Sequence, residues 1–208
     1  MQKYFVNNNS DNLILFFTGW GCDETEFEHL STTSDVLLLY NYLDLDFDFD
    51  FSKYKEINLI AYSAGVFASS VFEPDFEIKK KIALSGNPFL FDEKWGLSEK
   101  TQEVLCSVTA ETADDFAKNY LVKTDAEWAN FRHSQRTPES CREEFHCLKR
   151  HYQEKKSKII DVFDLACFGS DDTIFDISAQ KEFYGKKLNL VKNARHNIFF
   201  RIKIFIFS

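Results

Sequence analysis

The feature that most narrows the folds open to this chain is a succession of short, nearly unbroken apolar runs separated by helix-length segments. Asn12 to Thr18 carries Leu-Ile-Leu-Phe-Phe, and Val36 to Tyr40 reads Val-Leu-Leu-Leu-Tyr. Ile57 to Tyr62, Lys81 to Leu84, Ile159 to Phe168 and Leu188 to Val191 follow. A strand with one wet face alternates apolar and polar residues, whereas a strand that is apolar throughout has both faces covered. The pattern therefore predicts an α/β fold, a mostly parallel central sheet with helices on both sides. At roughly 150 residues per domain, 208 residues suit a single domain. A hydrophobic share of 44% with 28% charged residues is globular composition.

Two stretches depart from that rhythm. Asp44 to Phe51 alternates strictly, Asp-Leu-Asp-Phe-Asp-Phe-Asp-Phe. It lacks the glycine and the spacing of a calcium loop, so it reads as a loop or edge segment with a solvated acidic face. Residues 96–157 lose the strand-like runs and turn helical, which predicts a helical insert between two strands of the sheet. Thr137-Pro138 opens one of its helices, with Thr as the cap and Pro at the first helical position. Cys141, Phe145, Leu148 and Tyr152 form its apolar stripe, and Arg142, Lys149 and Arg150 fall off it. Phe116 and Tyr120 share a face further upstream. Inserts of this kind often cover a site.

Charge and cysteine usage exclude several function classes. The net charge of −8 argues against general nucleic-acid binding. Residues 1–60 hold eleven acids against three lysines, while residues 119–158 hold nine Lys and Arg against six acids. A locally basic patch on an acidic protein can steer an acidic partner. No apolar run reaches the roughly 18 residues of a spanning helix, and the start does not read as a secretory signal. Five scattered cysteines without a Cys-x-x-Cys pair are expected to be reduced thiols of a cytoplasmic protein. Cys141, His146 and Cys147 come nearest to a ligand cluster, but their spacing matches no common zinc pattern, and neither metal nor cofactor is expected.

Glycine is scarce, seven in all, and four of the seven flank short motifs that follow predicted strands. Ala61-Tyr62-Ser63-Ala64-Gly65 ends the third run. A strand, a sharp turn and a helix with small residues around a central Ser make the layout of a nucleophile elbow, although Ala61 stands where Gly is usual. Phe17-Thr18-Gly19-Trp20-Gly21-Cys22 ends the first run. Acyl transfer needs two backbone N–H groups aimed at the developing oxyanion, and these are assigned to Trp20 and to Ala64, the residue after the Ser. Gly169-Ser170-Asp171-Asp172 offers a carboxylate that would orient a base, with Asp172 preferred and Asp171 read as a turn former. Ala194-Arg195-His196 follows the last predicted strand, while His29, His133, His146 and His151 lie in loop or helical contexts. The order Ser63, Asp172, His196 is that of α/β-hydrolases.

These motifs resemble the BioG-type pimeloyl-[acyl-carrier protein] methyl ester esterases, a compact branch of the α/β-hydrolases. The resemblance also takes in Tyr40-Asn41-Tyr42-Leu43-Asp44, Leu84-Ser85-Gly86-Asn87-Pro88 and Gly96-Leu97. It implies an α/β-hydrolase fold over 1–208 with 96–157 as a helical cap. It further implies a serine esterase that frees the far carboxyl of a pimeloyl chain carried on acyl carrier protein, in biotin synthesis. Ser63 would be the nucleophile, His196 the base and Asp172 its orienting acid. Carrier proteins are acidic, so Arg132, Arg136, Arg142, Lys149 and Arg150 are candidate docking residues. The same triad would serve a general small-acyl esterase or thioesterase, and a non-catalytic binding module shares the fold. The family commonly follows its His with Pro and aromatic residues, whereas this chain continues Asn197-Ile198-Phe199-Phe200 into an apolar tail through residue 208, readable as a last strand or helix.

Overall fold

A computed structural model of the chain describes residues 1–202. Among them seven strands form one sheet in the order β1-β3-β2-β4-β5-β6-β7. They are β1 (Gln2–Val6), β2 (Asn12–Phe17), β3 (Asp35–Tyr40), β4 (Glu56–Tyr62), β5 (Lys80–Leu84), β6 (Leu165–Gly169) and β7 (Leu188–Val191). All neighbours pair in parallel except β1 with β3. Helices α1 (Ala64–Ser70) and α6 (Ile177–Tyr184) follow β4 and β6. Helices α2 (Glu99–Ser107), α3 (Ala113–Phe116), α4 (Asp125–Asn130) and α5 (Pro138–Lys155) all lie between β5 and β6.

The apolar runs in the middle of the sheet became strands because burial on both faces requires it, whereas β7 at the edge is only partly covered. Leu13, Leu15 and Phe17 of β2 point into one core layer, and Ile14 and Phe16 into the other. This is the mostly parallel, doubly covered sheet of an α/β-hydrolase.

Two details depart from the sequence reading. β1 was not expected: Gln-Lys-Tyr-Phe-Val has four exposed residues, and an antiparallel edge strand needs no continuous apolar run. The sixth strand is shorter than the run Ile159 to Phe168 suggests. Asp161 turns the chain by accepting from the Phe163 N–H at 3.1 Å, and Asp164 caps the neighbouring strand by accepting from the Lys81 N–H at 2.9 Å. The alternating segment Asp44 to Phe51 is a loop whose aspartates stay exposed while Phe47, Phe49 and Phe51 pack on the core.

In α5 the Thr137 hydroxyl accepts from the Ser140 N–H, Pro138 opens the helix, and Phe145, Leu148 and Tyr152 are buried as the stripe requires. Of the C-terminal segment, Ile198 and Phe199 are buried. Phe199 lies 4.9 Å from the Tyr62 ring and 5.3 Å from that of Phe27. Residues 197–202 form neither strand nor helix, and the remainder of the tail read as a last strand or helix, 203–208, lies outside the described residues.

The sheet can hold α1 this closely only because Gly65 has no side chain. A Cβ there would sit 2.3 Å from the Phe17 carbonyl oxygen and 2.4 Å from that of Thr18. Gly65→Ala should therefore cost about 3 kcal/mol, the upper end for overpacking, because backbone rather than a flexible side chain must move. Chemical denaturation would read this as a lower midpoint with unchanged slope.

Candidate active site

Ser63 sits between the end of β4 and the start of α1 with φ 52° and ψ −119°. An L-residue avoids positive φ, and the surroundings enforce it here. The Ser63 N–H donates to the Leu84 carbonyl at 2.9 Å, and the Val66 N–H donates back to the Ser63 carbonyl at 3.1 Å. Gly86 permits the approach, since a Cβ on it would lie 2.4 Å from the Ser63 carbonyl oxygen. Ala61, at the position where Gly is usual, is fully buried within β4.

Residues distant in sequence meet at this turn. His196 Nε2 lies 3.0 Å from Ser63 Oγ, and His196 Nδ1 lies 2.8 Å from Asp172 Oδ2. The other carboxylate oxygen, Oδ1, accepts from the Ile174 N–H at 2.8 Å and the Phe175 N–H at 3.3 Å. A carboxylate can only accept, so Nδ1 carries the proton and Nε2 is left as an acceptor facing the hydroxyl. The imidazole is 3% exposed. It stacks on Phe175 at 6.0 Å and lies 5.3 Å from Tyr62. The backbone N–H of His196 donates to the Tyr120 carbonyl at 3.2 Å, which ties the histidine loop to the segment after α3. Asp171, the rejected acid, points elsewhere and pairs with Lys123.

The loop after β2 lies beside this group. Its Gly21 N–H donates to Glu144 Oε2 at 2.9 Å, and its Cys22 N–H to the Gly19 carbonyl at 3.4 Å. A cavity of about 380 Å³ opens over Ser63 and His196, walled by Trp20, Phe91, Leu105, Phe116, Phe145 and Leu148 among others. Four of these six side chains come from residues 96–157.

The five basic candidates fare differently. Arg132, Lys149 and Arg150 are exposed. Arg142 is partly exposed and pairs with Glu139 at 2.8 Å. Arg136 is a correction: its side chain is only 8% exposed and pairs with the buried Glu144 at 2.6 Å. It is taken up inside the protein and cannot greet a partner. The sequence reading also passed over Glu144 itself. Its position three residues after Cys141 and four before Leu148 places it on the apolar stripe of α5, and a lone carboxylate there was the available signal. All five cysteines are free, and no group of three metal-ligating side chains occurs among the described residues.

Glu26, which also lines the cavity, was missed as well. Its Oε2 is shielded from solvent without a hydrogen-bond partner. Desolvation raises its pKa from 4.5 to about 8, against the Cys22 thiol beside it, which lowers it.

Comparison with known proteins agrees with this fold. A family model described as pimeloyl-ACP methyl esterase BioG matches residues 1–205. The chain belongs to the BioG family. The crystal structure of BioG from Haemophilus influenzae superposes with a TM-score of 0.77 at 25% identity, covering 94% of this chain and 92% of that one. A Bacteroides fragilis protein named malonyl-[acyl-carrier protein] O-methyltransferase is 33% identical over 186 residues, which is 86% of this chain but 38% of that protein. The chain thus spans well under half of that curated relative. A carboxylesterase structure from Nitrososphaera gargenis superposes at a TM-score of 0.58 with 17% identity, covering 93% of this chain and 87% of that one, and shares the fold. The family model and the solved structures thus agree on the fold.

The Glu26 carboxyl makes stability depend on pH. The unfolded chain releases this proton near pH 4.5 and the folded chain near pH 8. Between these values the folded state holds more protons, so stability falls as pH rises through the window. Glu26→Gln should flatten that decline. Its melting temperature relative to wild type should rise steadily from about pH 4.5 to about pH 8. A difference independent of pH would mean that Glu26 is ionised in the folded protein.

Proposed function

We propose that this chain is a serine esterase that hydrolyses the methyl ester of pimeloyl-[acyl-carrier protein], releasing methanol and leaving the free acid on its carrier. The observation that carries the reading is the hydrogen-bonded series Ser63–His196–Asp172 at the foot of an apolar cavity. The family description supports the substrate. So does the name of the Bacteroides relative, a methyltransferase acting on a carrier-bound acyl group, since a methyl ester made on a carrier needs an esterase to remove it.

His196 Nε2 takes the Ser63 proton as Oγ attacks the ester carbonyl. The oxyanion that forms is held by the Trp20 and Ala64 N–H groups. Ala64 opens α1, where the N–H has no partner within the helix. In the other loop the Gly21 and Cys22 N–H groups are already taken, and the Trp20 N–H is the donor assigned. As the C–O bond breaks, His196 returns its proton to methoxide and methanol leaves. Water then attacks the acyl-enzyme with His196 again as base, and Ser63 is regenerated with the free acid. Asp172 holds the imidazole in the tautomer the first step needs and stabilises the imidazolium.

The substrate has a second reactive carbonyl, the thioester near the carrier. A carrier docked on the helical cap, residues 96–157, keeps that bond outside while the acyl chain passes into the apolar cavity. Arg132, Arg142, Lys149 and Arg150 are our candidates to meet an acidic carrier there. Five free thiols fit a cytoplasmic setting, and among the described residues no helix is long and apolar enough to cross a membrane.

The test is to incubate the protein with methyl-pimeloyl carrier and follow the carrier by intact mass. The methyl ester should be lost and the thioester kept, and Ser63→Ala should be slower by about 10⁶-fold if the three residues act as a unit. A Ser63→Ala protein as active as wild type would end the serine mechanism. Cleavage of small aryl esters but not of the carrier substrate would keep the esterase and discard the pimeloyl assignment. Asp172→Asn should lower kcat by about 10⁴-fold, while Asp171→Asn, whose side chain pairs with Lys123 and accepts from Ser170 rather than from the imidazole, should leave kcat near wild type.

A further inference from the structure

The helix that roofs the cavity also grips the loop beneath it. Glu144 of α5 has a fully buried side chain. Its Oε2 accepts from the Gly21 N–H at 2.9 Å and from Arg136 Nη1 at 2.6 Å, and its Oε1 accepts from the Tyr42 N–H at 2.9 Å. One carboxylate on the insert thus ties together the segments that follow β2 and β3. Arg136 completes the cluster by donating to Asn41 Oδ1 at 2.8 Å and Ser140 Oγ at 2.9 Å. A second tether lies one residue away: the Trp20 indole N–H donates to the Cys141 carbonyl at 2.6 Å, and its ring meets Phe145 edge-on at 5.8 Å.

Such tethers matter because of what they hold. Trp20 lies between two glycines, and Gly21 has φ +75°, so the segment has little rigidity of its own. A peptide plane free to rotate would point its N–H groups in many directions. Electrostatic catalysis requires donors already aimed before the charge develops.

We propose that Glu144 is a positioning residue for ester cleavage: from the cap helix it draws the Gly21 N–H away from the site and so fixes the Trp20 N–H toward the carbonyl attacked by Ser63. This rests on the serine-esterase reading above. It makes the oxyanion loop and the first turns of α5 one unit, so that α5 cannot swing clear of the cavity without dispersing the oxyanion donors. The substrate-binding walls contributed by α2 and α3 carry no such tether to the loop among the described residues. A carboxylate is the group that suits the position, because it can accept from two backbone N–H groups and a guanidinium together. Glutamine would offer one oxygen and turn an NH₂ against one of the remaining donors.

The test is Glu144→Gln in the full chain, assayed on the carrier substrate and on a small aryl ester well below the melting temperature. The expected result is a fall in kcat of about 10²-fold, the scale of a lost oxyanion donor, with KM within about twofold. Affinity for an alkyl boronic acid, whose serine adduct mimics the tetrahedral oxyanion, should fall by a similar factor. A purely structural role would lower the melting temperature and leave kcat and boronate affinity unchanged in the folded fraction, and that result would overturn the proposal. Because stripping one partner from a buried ion pair destabilises, Arg136→Met with Glu144→Gln removes both charges together. The double variant should recover stability without recovering kcat, and recovery of kcat would equally overturn the proposal. Failure of the esterase reading is separate: wild-type protein would then cleave neither ester, and Ser63 would not be labelled by a fluorophosphonate.

Discussion

The close approach of α1 to the ends of the central strands is the constraint on which the rest of the molecule turns. It places Ser63 in backbone geometry that costs on the order of 1–3 kcal/mol, and that cost is offset by contacts only this packing permits. Gly65 lies against the Phe17 and Thr18 carbonyls, and Gly86 lies against Ser63 itself. Both approaches are too tight for a β-carbon. The Leu84 carbonyl then fixes the Ser63 N–H through the adjacent strand. A hydroxyl presented this way is exposed to the cavity at the head of a helix, while the strand behind it is locked in the interior of a seven-stranded sheet.

A similar close approach serves the opposite wall. A Cβ on Gly169 would lie 2.1 Å from the Arg195 carbonyl oxygen, so the end of β6 and the histidine loop touch backbone to backbone. This contact brings Asp172 and His196 to one place. Asp172 is fixed twice over, by the imidazole on one oxygen and by two backbone N–H groups on the other. The insert contributes from above by accepting the His196 and Asn197 N–H groups at Tyr120 and Leu121. Residues 96–157 thus supply most of the named apolar wall and also brace the loops from which the polar groups project.

The aromatic richness of the chain finds its explanation in layers rather than in a single slot. Phe47, Phe49 and Phe51 cover one side of the sheet from a loop, while Phe16, Phe27, Tyr62 and Phe199 interlock on the other. In the walls of the cavity the phenylalanines are Phe91, Phe116, Phe131 and Phe145. Four of the acids in the amino-terminal part are accounted for in the same way, since the aspartates of the alternating loop are exposed and the phenylalanines between them pack on the core.

By itself the sequence determined the middle of the sheet, because strands with two covered faces must be written as continuous apolar runs, and β2, β3, β4 and β5 were legible for that reason, while β7, at an edge, was marked by its leucines although it is only partly covered. It also marked Ser63, Asp172 and His196 as candidates, since each follows such a run beside small residues. The edge strand β1 was illegible because a solvated edge carries no apolar signature, and the shortening of β6 depended on where Asp161 and Asp164 found backbone donors. Tertiary structure alone decided which of two adjacent acids meets the imidazole: Asp171 and Asp172 are alike in sequence, but their side chains leave the turn in opposite directions, one to Lys123 and one to His196. It alone decided the fate of Arg136 too. Helical periodicity places a charge on a face, but whether that face meets water or a buried carboxylate depends on what packs against it. Here Glu144, lodged in an apolar stripe, required a cation, and only the folded chain brought one within reach.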